Sequence, residues 1–89
     1  MAAAPSNASP VIRVQVFARY AELLGANHID LPAEDIATVA DVLSRIRTLP
    51  GGAGIGDSTL VAVNLKQAAP GVRVVPGDEV AILPPLAGG

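Results

Sequence analysis

A single amphipathic helix constrains this chain most. From Thr38 onward, Val39, Val42, Leu43 and Ile46 recur at i, i+3, i+4 and i+7 spacing and form one apolar stripe. Thr38 and Asp41 stand at capping-box spacing, with the shorter Asp in place of the usual Glu. Arg45 and Arg47 fall in the last turns, where a positive charge complements the helix dipole. Pro50-Gly51-Gly52 then stops the helix. One stripe needs one apolar surface to bury against, and in a chain of 89 residues the strands must supply it.

Those strands are legible as alternation. In residues 11–17, Ile12, Val14 and Val16 point one way and Arg13, Gln15 and Phe17 the other. Residues 18–24 form a short helical turn, with Tyr20, Leu23 and Leu24 at helical spacing and Gly25 as its stop. Residues 28–31 read as a second strand between Asn27 and Pro32, and residues 60–65 as a third. Residues 71–75 are expected to be a short edge strand. Val75-Pro76-Gly77-Asp78 fits a type II turn, with Pro at i+1 and Gly at the position of positive φ. Residues 79–83 form the last strand. This order predicts an α+β roll of the β-grasp type, a mixed sheet of about four or five strands packed on one main helix. The first and last strands should then be neighbours. With Ile12, Val14, Val16, Val80 and Ile82 facing the helix, Phe17 and Leu83 face away, onto the open side of the sheet. The alternative is that both are strand-end residues that happen to be half-buried.

Composition excludes several classes. The formal net charge is −2, from six basic and eight acidic residues with no basic stripe, so no nucleic-acid partner is expected. Apolar residues make up 51% and charged ones 16%, more apolar surface than so small a body can bury, which points to a partner-binding patch. There is no cysteine, so neither a disulfide nor a thiolate metal site is available. His28, the single histidine, lacks companions for a metal site and reads as a strand-edge residue. The Gly51–Gly56 stretch follows a helix and lacks the Gly-Lys-Ser/Thr ending of a phosphate loop, so it reads as a flexible connector. Adjacent Asp78 and Glu79 would point to opposite faces of a strand and make no acid–base pair. No apolar run approaches the ~18 residues of a membrane span. Residues 1–10 carry no basic or apolar signal and are expected to be a disordered leader, with the cytoplasm as the expected location.

The sequence closes on Leu86-Ala87-Gly88-Gly89, after Pro84-Pro85. Two glycines form the slimmest end a chain can present, and the prolines form a stiff extended exit. Residues 84–89 are therefore expected to be a flexible tail beyond a folded unit at 11–83, suited to entering another protein's narrow site.

Val80-Ala-Ile-Leu-Pro-Pro-Leu-Ala-Gly-Gly89, preceded by Pro76-Gly-Asp-Glu79, resembles the C-terminal signature of the molybdopterin synthase small-subunit (MoaD) family, within the MoaD/ThiS ubiquitin-like sulfur carriers. Val16-Phe-Ala-Arg-Tyr-Ala-Glu-Leu-Leu-Gly25 is similar to that family's first strand and turn, and Leu60-Val-Ala-Val-Asn64 to its central strand. The resemblance implies a sulfur carrier rather than an enzyme. An E1-like (MoeB-like) partner would adenylate the carboxylate of Gly89, using its own ATP and magnesium, and a sulfur donor would convert it to a thiocarboxylate. The large (MoaE-like) synthase subunit would then receive the sulfur onto a pterin precursor. Gly89 would carry the reactive carbon and Gly88 the slim approach, while Phe17, Leu83, Pro84, Pro85, Leu86 and Ala87 would contact the partner. This chain has Ile82-Leu83 where the family often has aromatics, and Leu86 where Val is common. The rival readings are a ThiS-like carrier for thiazole or cysteine synthesis and a ubiquitin-like interaction or modifier module.

Overall fold

The structure, a computed structural model, describes residues 10–56 and 59–85. The expected leader, apart from Pro10, and residues 86–89 of the expected tail lie outside the described residues. Strand β1 spans Val11–Val16, α1 Ala18–Leu24, β2 His28–Pro32, α2 Val39–Arg47, β3 Leu60–Val63, β4 Lys66–Gln67 and β5 Val80–Leu83. They form one five-stranded mixed sheet in the order β2-β1-β5-β3-β4. Only the central β1–β5 pair is parallel; β1–β2, β3–β5 and β3–β4 are antiparallel. This is the β-grasp arrangement, with first and last strands adjacent as expected for that fold.

The core lies on one face of the sheet. Ile12, Val14, Val16, Val61, Val80 and Ile82 meet Val39, Val42 and Ile46 of α2. The helix starts as its residues dictate: Thr38 accepts from the Asp41 N–H, and Asp41 accepts from the Thr38 N–H at 3.1 Å. Gly25 takes a φ of 73° at the end of α1.

Three expectations are corrected. Residues 71–75 are not a strand of the sheet; they make one isolated bridge, Thr38 to Arg73. The first backbone donors of α2 claim this segment instead. The N–H groups of Val39 and Ala40 bond to the carbonyls of Val72 and Pro70, at 2.9 and 3.0 Å. A helix start leaves such donors without intrahelical partners, and here a neighbouring loop satisfies them. Second, the strand read over 60–65 is a hairpin. Asn64 and Leu65, at φ of 52° and 71°, turn β3 into the short β4. Two-residue hairpin turns of this kind are normally signalled by Gly, and Leu65 hides the signal. Third, the glycine-rich segment is closely packed rather than a loose connector. A Cβ on Gly51 would run into the carbonyl of Leu23, and one on Gly52 into that of Ile46. Arg47 donates from Nε to the Ile55 carbonyl and from Nη2 to that of Gly56, each at 3.0 Å.

Truncating Ile46, which is fully buried, to Ala is expected to cost about 3 kcal/mol. Gly51→Ala should destabilise as well, through both its positive φ and the clash with Leu23. Urea unfolding of both variants measures this.

Candidate functional site

β5 lies at the centre of the sheet and hands the chain to Pro84. Its parallel register with β1 pairs Val16 with Ile82. Phe17 and Leu83, the next residues along the two strands, therefore leave the sheet at the same rim. Leu60 stands opposite Leu83 on β3. Val80 and Ile82 are buried against the helix, while Ala81 and Leu83 turn to the other face and are half-buried. Leu60, Ala62, Gln67 and Leu83 line a shallow depression of about 140 Å³ on that face.

Phe17 caps α1 and is 43% exposed. Ala18, at a φ of 54°, turns the chain sharply off β1 into α1. Pro84 is half-buried and Pro85 exposed. Phe17, Leu83 and Pro84 thus share one rim. Leu86, Ala87, Gly88 and Gly89 fall outside the described residues. The open face beyond the apolar strip is polar. Arg13 and Asp30 form a two-pronged pair at 2.8 and 3.2 Å, next to Gln15 and His28.

Two residues that sequence reasoning assigned no positioning role hold β5 in place. Asn64 donates from Nδ2 to Asp78 at 3.1 Å and accepts from the Glu79 N–H at 3.0 Å, and its own N–H donates to the Glu79 carbonyl at 2.7 Å. Asp78 also accepts from the Val75 N–H at 2.9 Å, closing the expected turn, whose Gly77 has a φ of 100°. This clamp ties the β3–β4 hairpin to the start of β5. The only sequence signal for it is an Asn directly after a strand and an Asp directly after Pro-Gly.

The same hydrogen bonds act on the carboxylates. Bonds from the Val75 N–H and Asn64 hold Asp78 below the ordinary 3.8. Bonds from the Ala37 and Thr38 N–H groups do so for Asp41, and the Arg13 guanidinium for Asp30. Among the described residues there is no group of three or more His, Cys, Asp or Glu that could hold a metal ion, and no helix is long and apolar enough to cross a membrane.

A family model described as the ThiS family matches residues 14–89. The chain belongs to the ThiS family. Members are small ubiquitin-like carrier proteins rather than catalysts, and they function with partner proteins. The structure of the small archaeal modifier protein SAMP1 from Haloferax volcanii is similar at a TM-score of 0.74, with 27% identity, covering 89% of this chain and 99% of that one. The Haloferax volcanii HVO 2177 protein is similar at a TM-score of 0.72 and 28% identity, covering 93% and 92%. A candidate molybdopterin converting factor, subunit 1, from Pyrococcus furiosus matches at a TM-score of 0.74, covering 88% and 100%; at 23% identity it speaks for the fold alone. No curated protein sequence matches the chain significantly.

A carboxyl whose folded pKa is depressed stabilises the fold above its unfolded pKa. That contribution is lost as the pH falls through the folded value. Stability is therefore expected to hold near neutrality and to fall below about pH 4. Asp78→Asn should lower stability at neutral pH and flatten the acid limb, which denaturant unfolding at about pH 7 and about pH 3 would reveal.

Proposed function

We propose that this chain is a sulfur carrier for molybdenum cofactor synthesis, working as the small subunit of a molybdopterin synthase. The observation that carries the reading is the exit of β5. The strand delivers Pro84 and Pro85 from the rim that also bears Phe17 and Leu83, so a partner seated on that rim meets the start of the tail. From Leu83 the remaining residues can reach about 20 Å at ~3.3 Å each, enough for Gly89 to enter a buried site while the body docks outside.

The chemistry follows from the carboxylate. Its oxygen is a poor leaving group, so a carboxylate oxygen of Gly89 attacks the α-phosphorus of ATP and pyrophosphate departs. A persulfide sulfur on the donor then attacks the acyl carbon and displaces AMP, and a thiol of the donor or partner attacks the donor-side sulfur of the resulting acyl disulfide, releasing the thiocarboxylate and leaving a disulfide behind. ATP, magnesium and general catalysts belong to the E1-like partner, and the pterin pocket to the large subunit. Gly88 keeps the approach free of a Cβ, and Pro84-Pro85 limits the entropy lost on threading.

Two other readings have specific support. The matching family model carries the ThiS name, which fits a carrier for thiazole or cysteine synthesis. The similarity to an archaeal modifier protein fits conjugation to other proteins.

Intact-mass measurement after incubation with the adenylating partner, ATP and a sulfur donor tests the reading. One terminal oxygen should be replaced by sulfur, and a variant with one residue added after Gly89 should bind the large subunit but fail to gain sulfur. Recovery with a thiazole or cysteine synthase, or isopeptide-linked adducts in place of the thiocarboxylate, would reject it. Phe17→Ala and Leu83→Ala should each weaken binding of the large subunit about tenfold, measured by calorimetry.

A further inference from the structure

The sheet has two outer strands, β2 and β4, and they differ as templates. β4 is only Lys66–Gln67, a short edge that offers little to pair with. On β2, two hydrogen bonds define which backbone groups are already used. The Val16 N–H donates to the Asn27 carbonyl at 2.9 Å, and the Ala33 N–H to the Pro10 carbonyl at 3.0 Å. With Val14 opposite Ile29 and Ile12 opposite Leu31, the alternation of an antiparallel ladder turns the backbone groups of Asn27, Ile29, Leu31 and Ala33 toward β1. Those of His28 and Asp30 point outward from the sheet. Pro32 presents a carbonyl there but has no N–H.

The geometry points to a second copy of this chain as the occupant of this edge, with β2 pairing antiparallel to its own equivalent about a two-fold axis at Ile29, so that His28 of each copy faces Asp30 of the other. Parity and charge select the register. Only residues with outward backbone groups can form the new rungs; an axis at Leu31 would set Asp30 against Pro32, which cannot donate, which leaves His28, Ile29 and Asp30. Centred on Asp30, two carboxylates oppose each other, and His28 faces a proline that cannot donate. Centred on His28, two imidazoles oppose each other, and Asp30 falls opposite Ala26, beyond the start of the strand. Centred on Ile29, both rungs join His28 to Asp30, each exchanging two backbone hydrogen bonds.

Side chains agree with this register on both faces. On the open face, Asp30 already takes two bonds from Arg13 and retains an exposed carboxylate. The His28 of the second copy brings a ring N–H donor to it, an opposite pairing that favours cross-strand contact. On the helix-facing side, half-buried Ile29 meets its equivalent at a non-hydrogen-bonded position, where strands approach to about 4.5 Å. β1 separates this edge from β5. The paired form therefore leaves Leu83 and Pro84 accessible, and the inference stands independently of the sulfur-carrier reading.

Sedimentation equilibrium and amide hydrogen exchange of the full chain alone test it. The weight-average mass should rise with concentration, with a Kd on the order of 1 mM or tighter. The His28 and Asp30 amides should gain protection together with that rise, while those of Ile29 and Leu31 stay constant. His28→Asp or Asp30→His alone places like groups opposite each other and should weaken association at least about tenfold. An equimolar mixture of these two variants restores both complementary rungs and should associate again. Circular dichroism checks that both variants are folded; Asp30 is exposed, and an exposed ion pair such as that with Arg13 contributes little to stability. Concentration-independent exchange at His28 and Asp30, or a mixture no better than its components, would overturn the proposal. So would protection that appears only on adding another protein.

Discussion

Val14, Gln15 and Val16 lie alongside Val80, Ala81 and Ile82 in the one parallel pair of the sheet, which joins its first strand to its last. A parallel pair cannot be closed by a tight turn, so everything between the two strands must cross over and pack before β5 finds its place. The crossover carries α2, whose apolar stripe covers the face that β1 and β5 make together. β5 also pairs with β3 on its other side, and the Asn64–Asp78 clamp pins its first residues. The last strand is thus held from both flanks and just before its start, and it hands the chain to Pro84 at the rim.

The two faces of the sheet have different tasks. One is closed by α2, and among the described residues no charged side chain is buried there. The other divides into an apolar strip along β5 and β3 and a polar half along β1 and β2, where Arg13, Asp30, Gln15 and His28 stand. With α2 on one side of the sheet, this second face is left uncovered, and it accounts for part of the apolar excess in the composition. The family's dependence on partner proteins agrees with a sheet that is finished on only one side.

Local signals were legible where the chemistry is local. The stripe of Val39, Val42 and Ile46, the Thr38–Asp41 capping box, Gly25 after α1 and the Pro76-Gly77 turn all read through from sequence because each depends on neighbours a few residues away. The errors arose where a distant segment competes. Residues 71–75 look like a strand, yet the carbonyl of Val72, with that of Pro70 before it, goes to the unpaired donors at the start of α2. Gly51 and Gly52 look like a loose linker until the carbonyls of Leu23 and Ile46 are seen against them. The β3–β4 hairpin stayed hidden because a leucine occupies a turn position where glycine is usual.

The amino-acid sequence by itself determined the amphipathic helix, the alternating first strand, the turns and the Gly-Gly motif that carries the family likeness, because periodicity and turn chemistry act over a few residues. Only the tertiary structure decided that Phe17 and Leu83 meet at one rim, that Asn64 and Asp78 anchor β5, and which backbone groups of β2 remain free. Those facts depend on the register between strands far apart in the chain, and register is settled by packing the whole sheet on its helices rather than by any local preference.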